Sequence, residues 1–248
     1  MQKFYLINKK IGETPLEALE VFRKKNKIDK TIPITYAGRL DPMASGLLIL
    51  LIGEECKKKD KYLCFDKEYE FQVLFGFSTD TYDILGKVIK EFFFINKKED
   101  LENKIISNLK FFKGKIIQKY PLYSSKTLDG KPLFNYARRD QKVRLPEREV
   151  HIKYLKFLNI KKISSRTVLR DIQIKVNKVK GDFRQKEILK IWKKKLKKDN
   201  TFFIANFKAK VSSGVYIRSI SNDLGEKIGM PALAYNIKRV KIGKYDRI

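Results

Sequence analysis

From Lys67 to Phe77 the chain alternates, with Tyr69, Phe71, Val73 and Phe75 on one side and Glu68, Glu70 and Gln72 on the other. Side chains repeat every second residue only in an extended strand, so this run predicts a strand with one buried face. Phe203, Ala205, Phe207, Ala209 and Val211 repeat the pattern late in the chain. A half-buried strand needs partners, and further strands are expected at Phe4–Asn8, in the apolar run Leu47–Ile52, at Val150–Leu158 and at Thr167–Val176. Helices fall between them. Thr14-Pro15-Leu16-Glu17 has the form of a capping box with proline in the first turn, opening a helix to about Asn26. Asp182-x-x-Gln185 is read as the cap of a basic helix reaching about Lys198, with Ile188, Leu189, Trp192 and Leu196 on its apolar side. Ile217, Ile220 and Leu224 share a face of a third helix, which Gly229 closes. Interspersed strands and helices make this an α+β protein on a mainly antiparallel sheet.

Composition narrows the chemistry. The 248 residues suit one large domain or two small ones, and the longest apolar run is too short to span a bilayer, so a cytoplasmic protein is expected. Lys and Arg total 56 against 28 acidic residues, a net charge of +28 that attracts nucleic acid. The same number also describes a merely lysine-rich surface, and it does not choose between DNA and RNA. Cys56 and Cys64 match no zinc or redox spacing. His151 is the only histidine and sits in a strand-like segment. Ser-His-Asp catalysis and histidine-bound metals are thereby disfavoured, leaving Asp, Glu, Tyr, Lys or Arg to carry any reaction.

Gly38-Arg39-Leu40-Asp41-Pro42 is a turn that presents a carboxylate, with a loop expected from Tyr36 to Gly46. Beside Arg39, Asp41 would stay ionised and could serve as nucleophile or base. Taken alone, the segment is more readily an ordinary Asx-type turn than a catalytic one.

In its wider setting, Tyr36-Ala37-Gly38-Arg39-Leu40-Asp41-Pro42-Met43-Ala44-Ser45-Gly46 resembles the first signature of the TruB family of tRNA pseudouridine synthases. The resemblance continues in order through Phe4–Thr14, Lys67-Glu68-Tyr69, the loop Thr79-Asp80-Thr81 with Asp83 and Gly86, and the segment Gln118–Arg138. It closes with Ser213–Ile220, Asp223-Leu224-Gly225, and Ile237-Lys238-Arg239 with Gly243. It implies the pseudouridine synthase fold and conversion of uridine 55 in the tRNA T-loop to pseudouridine. No cofactor or metal is implied.

By that resemblance Asp41 is the essential carboxylate, Tyr69 stacks on the base and helps a proton move, Arg218 aims Asp41, and Ile237 packs against the base. A basic thumb at about 113–148 would grip the T-arm through Tyr123, Lys126, Lys131, Arg138 and Arg139. Lys126 stands one place before the family's usual thumb lysine, where this chain has Thr127. Lys67, Lys238 and Arg239 are expected to contact RNA as well. Two features depart from the family. Tyr36 replaces its usual histidine and Arg39 its usual small residue, so one or both are expected to fill the stack vacated by the flipped base. The family's C-terminal RNA-binding (PUA-type) domain is not seen, and a basic helical insert at about 179–198 is the expected partial substitute. A monomer is expected, with tRNA as partner and no membrane or metal. A tRNA-folding chaperone and an RNA-guided synthase subunit are the competing readings.

Overall fold

The alternating runs pair directly with each other in a computed structural model, which describes residues 4–92 and 97–246. The chain begins with β1 (Phe4–Lys9), α1 (Pro15–Lys25), β2 (Ile34–Ala37), β3 (Ala44–Ile52) and α2 (Lys59–Leu63). Next come β4 (Lys67–Phe75), β5 (Phe77–Thr79), β6 (Val88–Glu91), α3 (Lys98–Asn108) and β7 (Gly114–Lys119). A thumb region holds β8 (Thr127–Leu128), β9 (Lys131–Pro132) and α4 (Leu133–Arg138). The remainder is β10 (Glu147–Ser164), α5 (Ser165–Val176), α6 (Gln185–Lys195), β11 (Thr201–Val211), α7 (Ile217–Ile228) and β12 (Ala232–Ile242).

The main sheet runs β1-β3-β12-β4-β11-β10-β7, with β2 also paired to β3. Its pairings are antiparallel except one: β12 lies parallel to β3, Ile237–Arg239 against Ala44–Gly46. That close approach explains Gly46. Its φ is +106°, and a Cβ there would lie 2.2 Å from the Arg239 carbonyl oxygen, so only glycine fits.

Opposite faces of the sheet carry separate apolar layers. Phe71, Val73 and Phe75 meet Phe207, Ala205 and Phe203 in register, and α3 and α7 cover them with Leu101, Ile105, Ile220 and Leu224. On the other face, Leu74, Ile204 and Leu233 pack against Val168, Ile172 and Val176 of α5 and Ile188, Trp192 and Leu196 of α6. Among the described residues, no helix is long and apolar enough to cross a membrane.

Four local expectations are corrected. Thr167–Val176 is helical: Val168, Ile172 and Val176 are fully buried four residues apart, and the Ser164 hydroxyl accepts from the Thr167 N–H. The preceding strand, expected to end at Leu158, continues to Ser164. The basic helix starts at Gln185 and ends at Lys195, and Asp182 does not cap it. Arg184 holds that position with φ 63°, while the Gln185 side chain turns back to accept from Phe183 N–H and donate to Val179 and Gly181 carbonyls. Finally, the loop at Tyr36–Gly46 is shorter than expected, because Tyr36 and Ala37 end β2 and Ala44–Gly46 begin β3.

Candidate active site

The turn between β2 and β3 is pinned at both ends. Ala44 N–H donates to the Asp41 carbonyl at 2.9 Å, and Gly12 N–H donates to the Pro42 carbonyl at 2.8 Å. Asp41 is thereby presented from the turn joining β2 to β3 with its side chain 35% exposed. Across the cleft, Arg218 is the second residue of α7 and only 3% exposed.

Arg218 meets Asp41 as a fork, with Nε donating to Oδ2 at 2.7 Å and Nη2 donating to Oδ1 at 3.1 Å. Paired parallel bonds of this kind fix orientation as well as charge. The guanidinium is also held from behind: Nη1 donates to the Thr81 carbonyl at 2.5 Å and Nη2 to the Tyr123 carbonyl at 3.2 Å. A second carboxylate, Asp83, stands 3.7 Å from Nε. Burial opposes the Arg218 charge, but Asp41 and Asp83 together drive its pKa above the ordinary arginine range. Asp83 is buried, which pushes its pKa up to about 6 against the pull of Arg218 and of the Thr81 hydroxyl. The two carboxylates sharing one cation thus differ: Asp83 is shut in, whereas Asp41 faces open space.

That space is a cavity of about 400 Å³. Asp41, Tyr69, Ile237, Tyr216 and Val215 wall it, with Tyr36 and Arg39 on its rim. Tyr69 is 8% exposed and packs in the layer that includes Leu40, Ala44 and Ile237. A flat ring and aliphatic walls beside a fixed carboxylate suit a planar heterocycle. A second cavity of about 340 Å³ adjoins the Asp41 turn and shares Tyr36, Arg39, Leu40 and Ser124 with the first.

Asp41, Tyr69, Arg218 and Ile237 therefore lie around one cleft, although they come from four parts of the chain. Arg39 is exposed and Tyr36 half-buried, with the Lys59 ammonium 5.5 Å from its ring. Lys126, Lys131, Arg138, Arg139 and Lys238 are exposed, and Tyr123 is half-buried. Lys67 and Arg239, expected to contact RNA, are both buried and line the cavity. Lys67 is 5% exposed and donates to the Leu63 and Phe65 carbonyls; burial lowers its pKa to about 8. Arg239 is 1% exposed and donates to the Leu47 and Arg39 carbonyls. Both are committed to closing backbone at the cavity floor, because a buried carbonyl left without a donor is costly.

Reading the sequence for site residues did not single out Thr81 and Asp83, which flank the Arg218 guanidinium. The spacing of Thr79, Asp80, Thr81, Asp83 and Gly86 marked the loop, but polar residues beside glycine signal a turn before they signal a site.

A family model described as TruB family pseudouridylate synthase (N terminal domain) matches residues 23–183. The tRNA pseudouridine synthase B of Fusobacterium nucleatum subsp. nucleatum is 32% identical over 246 residues, covering 99% of this chain and 69% of that protein. Its counterpart from Clostridium acetobutylicum is 30% identical over 231 residues, covering 93% and 65%. A chain of the solved Cbf5-Nop10-Gar1 complex superposes with a TM-score of 0.59 at 20% identity, over 99% of this chain and 50% of that one. The chain thus spans about two thirds of these curated relatives and half of that solved chain.

Proposed function

The chain belongs to the TruB family of pseudouridylate synthases, and on that premise we propose that it isomerises uridine to pseudouridine in transfer RNA, at position 55 of the T-loop. The observation that carries this reading is the Arg218 fork on Asp41 at the mouth of a ring-walled cavity. Asp41 engages the flipped nucleotide so that the bond from ribose C1′ to N1 breaks. The base then turns, and C5 bonds to C1′ instead. The proton leaving C5 is balanced by one gained at N1, so no atoms are added and no redox partner is needed. Tyr69 stacks on the base and assists the proton transfer, Ile237 packs against the base, and Arg218 aims Asp41 through its fork.

A T-loop uridine is stacked within folded RNA, and flipping it costs roughly a few kcal/mol. Phosphate contacts from Lys126, Lys131, Arg138, Arg139 and Lys238, all exposed, offset that cost. Tyr36 or Arg39, at the rim of both cavities, fills the gap left in the stack. Lys186, Lys190, Lys193 and Lys194 of α6 are exposed as well.

The test is a pseudouridine assay on an unmodified tRNA transcript, with the modified position mapped. Wild type should convert the T-loop uridine, and Asp41→Asn should lower the rate by at least about a thousandfold, the scale for loss of a nucleophile. Binding without conversion by wild type would sink this reading and favour a tRNA-folding chaperone.

A further inference from the structure

Helices α5 and α6 interrupt the β10–β11 hairpin, and the turn joining them reaches the cleft, where Phe183 and Arg184 line the second cavity beside Asp41. Arg184 is locked into that turn. Its backbone sits at φ 63° directly before α6, and its side chain is only 21% exposed. Nη1 donates to Asp80 Oδ2 at 2.7 Å and Nη2 donates to Asp80 Oδ1 at 3.4 Å. The guanidinium carbon also lies 4.3 Å from the centre of the Tyr123 ring.

Both contacts fall beside the two carbonyls that hold Arg218. Thr81, the neighbour of Asp80, accepts from Arg218 Nη1, and Tyr123 itself accepts from Nη2. Asp80 in turn closes its own loop: its N–H donates to the Lys87 carbonyl at 3.1 Å, and its Oδ1 accepts from Lys87 N–H at 2.9 Å. The same α5–α6 turn is tied to the thumb a second time, where Arg138 Nη2 donates to the Asp182 carbonyl at 2.8 Å.

We propose that Arg184 is a positioning residue: it clamps the 79–87 loop to the segment carrying Tyr123, so that the Thr81 and Tyr123 carbonyls stay in register and aim Arg218 at Asp41. The proposal rests on the reaction above, in which that fork is the chemical centre. A direct grip on an RNA phosphate is the other use of an arginine here. It is disfavoured because the charge is already matched by Asp80 through two bonds and the plane is occupied by a ring. A partly exposed ion pair adds little to stability, but small misplacements of a catalytic group can cost as much as about a hundredfold in rate.

The experiment compares wild type, Arg184→Ala, Arg184→Lys and Asp80→Asn in single-turnover conversion of a tRNA transcript, in tRNA affinity, and in amide hydrogen exchange. Arg184→Ala should slow conversion by about ten- to a hundredfold while affinity changes by less than about threefold. Amides in 79–87 and 120–126 should exchange faster together, with those of α6 unchanged. Arg184→Lys should recover part of the rate, since an ammonium keeps the charge but not the fork. Asp80→Asn should resemble Arg184→Ala, and combining the two should add little, because both remove one contact. Unchanged rate and exchange would overturn the proposal, as would a loss confined to affinity. If wild type makes no pseudouridine, the reaction reading fails, and the exchange data alone decide whether Arg184 is the clamp.

Discussion

Arg218 offers its N–H groups to two carbonyls and one carboxylate, with a second carboxylate close by. Asp83 matters in this crowd because its charge can change. Its pKa is pushed up to about 6 by burial, so lowering the pH through that value neutralises one of the two counter-ions of Arg218. The rate of conversion should therefore show an acid limb near that pH, and Asp83→Asn should remove the limb and be slower than wild type at neutral pH. Single-turnover rates across the range check this; an identical limb in the variant would rule Asp83 out as its source. Stability runs the other way. Between the ordinary aspartate pKa of 3.8 and about 6 the folded protein binds more protons at Asp83 than the unfolded chain does, so this group's contribution falls as pH rises. At this scale the resemblance to a family singled out Asp41 and Arg218, which the structure brings together as a fork. The sequence was silent where a role depends on a distant partner, since Arg184 and Asp80 lie 104 residues apart.

Among the elements, β4 and β11 were readable from their period of two, β3 from its apolar run, α1 from its capping box and α7 from its apolar spacing and Gly229, whereas β2 and β7 were not. The α5 error has a definite cause. Thr167, Val168, Ile172, Ile174 and Val176 are β-branched and suggest a strand, but three of the apolar residues recur every fourth position and bury one helical face. Packing overrode propensity. Trp192 of α6 is fully buried, with its ring centre 5.1 Å from that of Phe77 at the head of the loop carrying Asp80 and Thr81. Trp192→Ala should destabilise the protein by about 3–5 kcal/mol, the range for emptying an aromatic core site. Trp192→Phe should cost clearly less. Chemical denaturation measures both, and equal stabilities would show that the helix pair is not part of the cooperative core.

For the molecule as a whole, a net charge of +28 points to a lysine-rich surface, yet two of the described lysines lie in the interior. Lys9 and Lys67 are buried, which lowers each pKa to about 8 from 10.5. Between those values the unfolded chain binds more protons than the folded one, so stability should rise with pH, by up to about 1.4 kcal/mol per unit for each lysine. Lys67→Met should flatten that slope in unfolding experiments between about pH 8 and pH 10, whatever its effect on absolute stability; an unaltered slope would contradict the assignment. The α+β class and the sheet were legible from the sequence. The order of the strands was not, because alternation gives a strand's faces and not its neighbours.

That order sets when the enzyme can first exist. Strand β12 follows every other described strand in the chain yet lies between β3 and β4 in the sheet. Before it arrives, β1, β2 and β3 share no ladder with β4, β11, β10 and β7. The turn bearing Asp41 belongs to the first group, and Tyr69 to the second. During translation the two halves can form as they emerge, but they remain unjoined until residues 232–242 clear the ribosome and slot between them. The Asp41 turn and Tyr69 therefore come to share one cleft only once residues 232–242 are paired between β3 and β4.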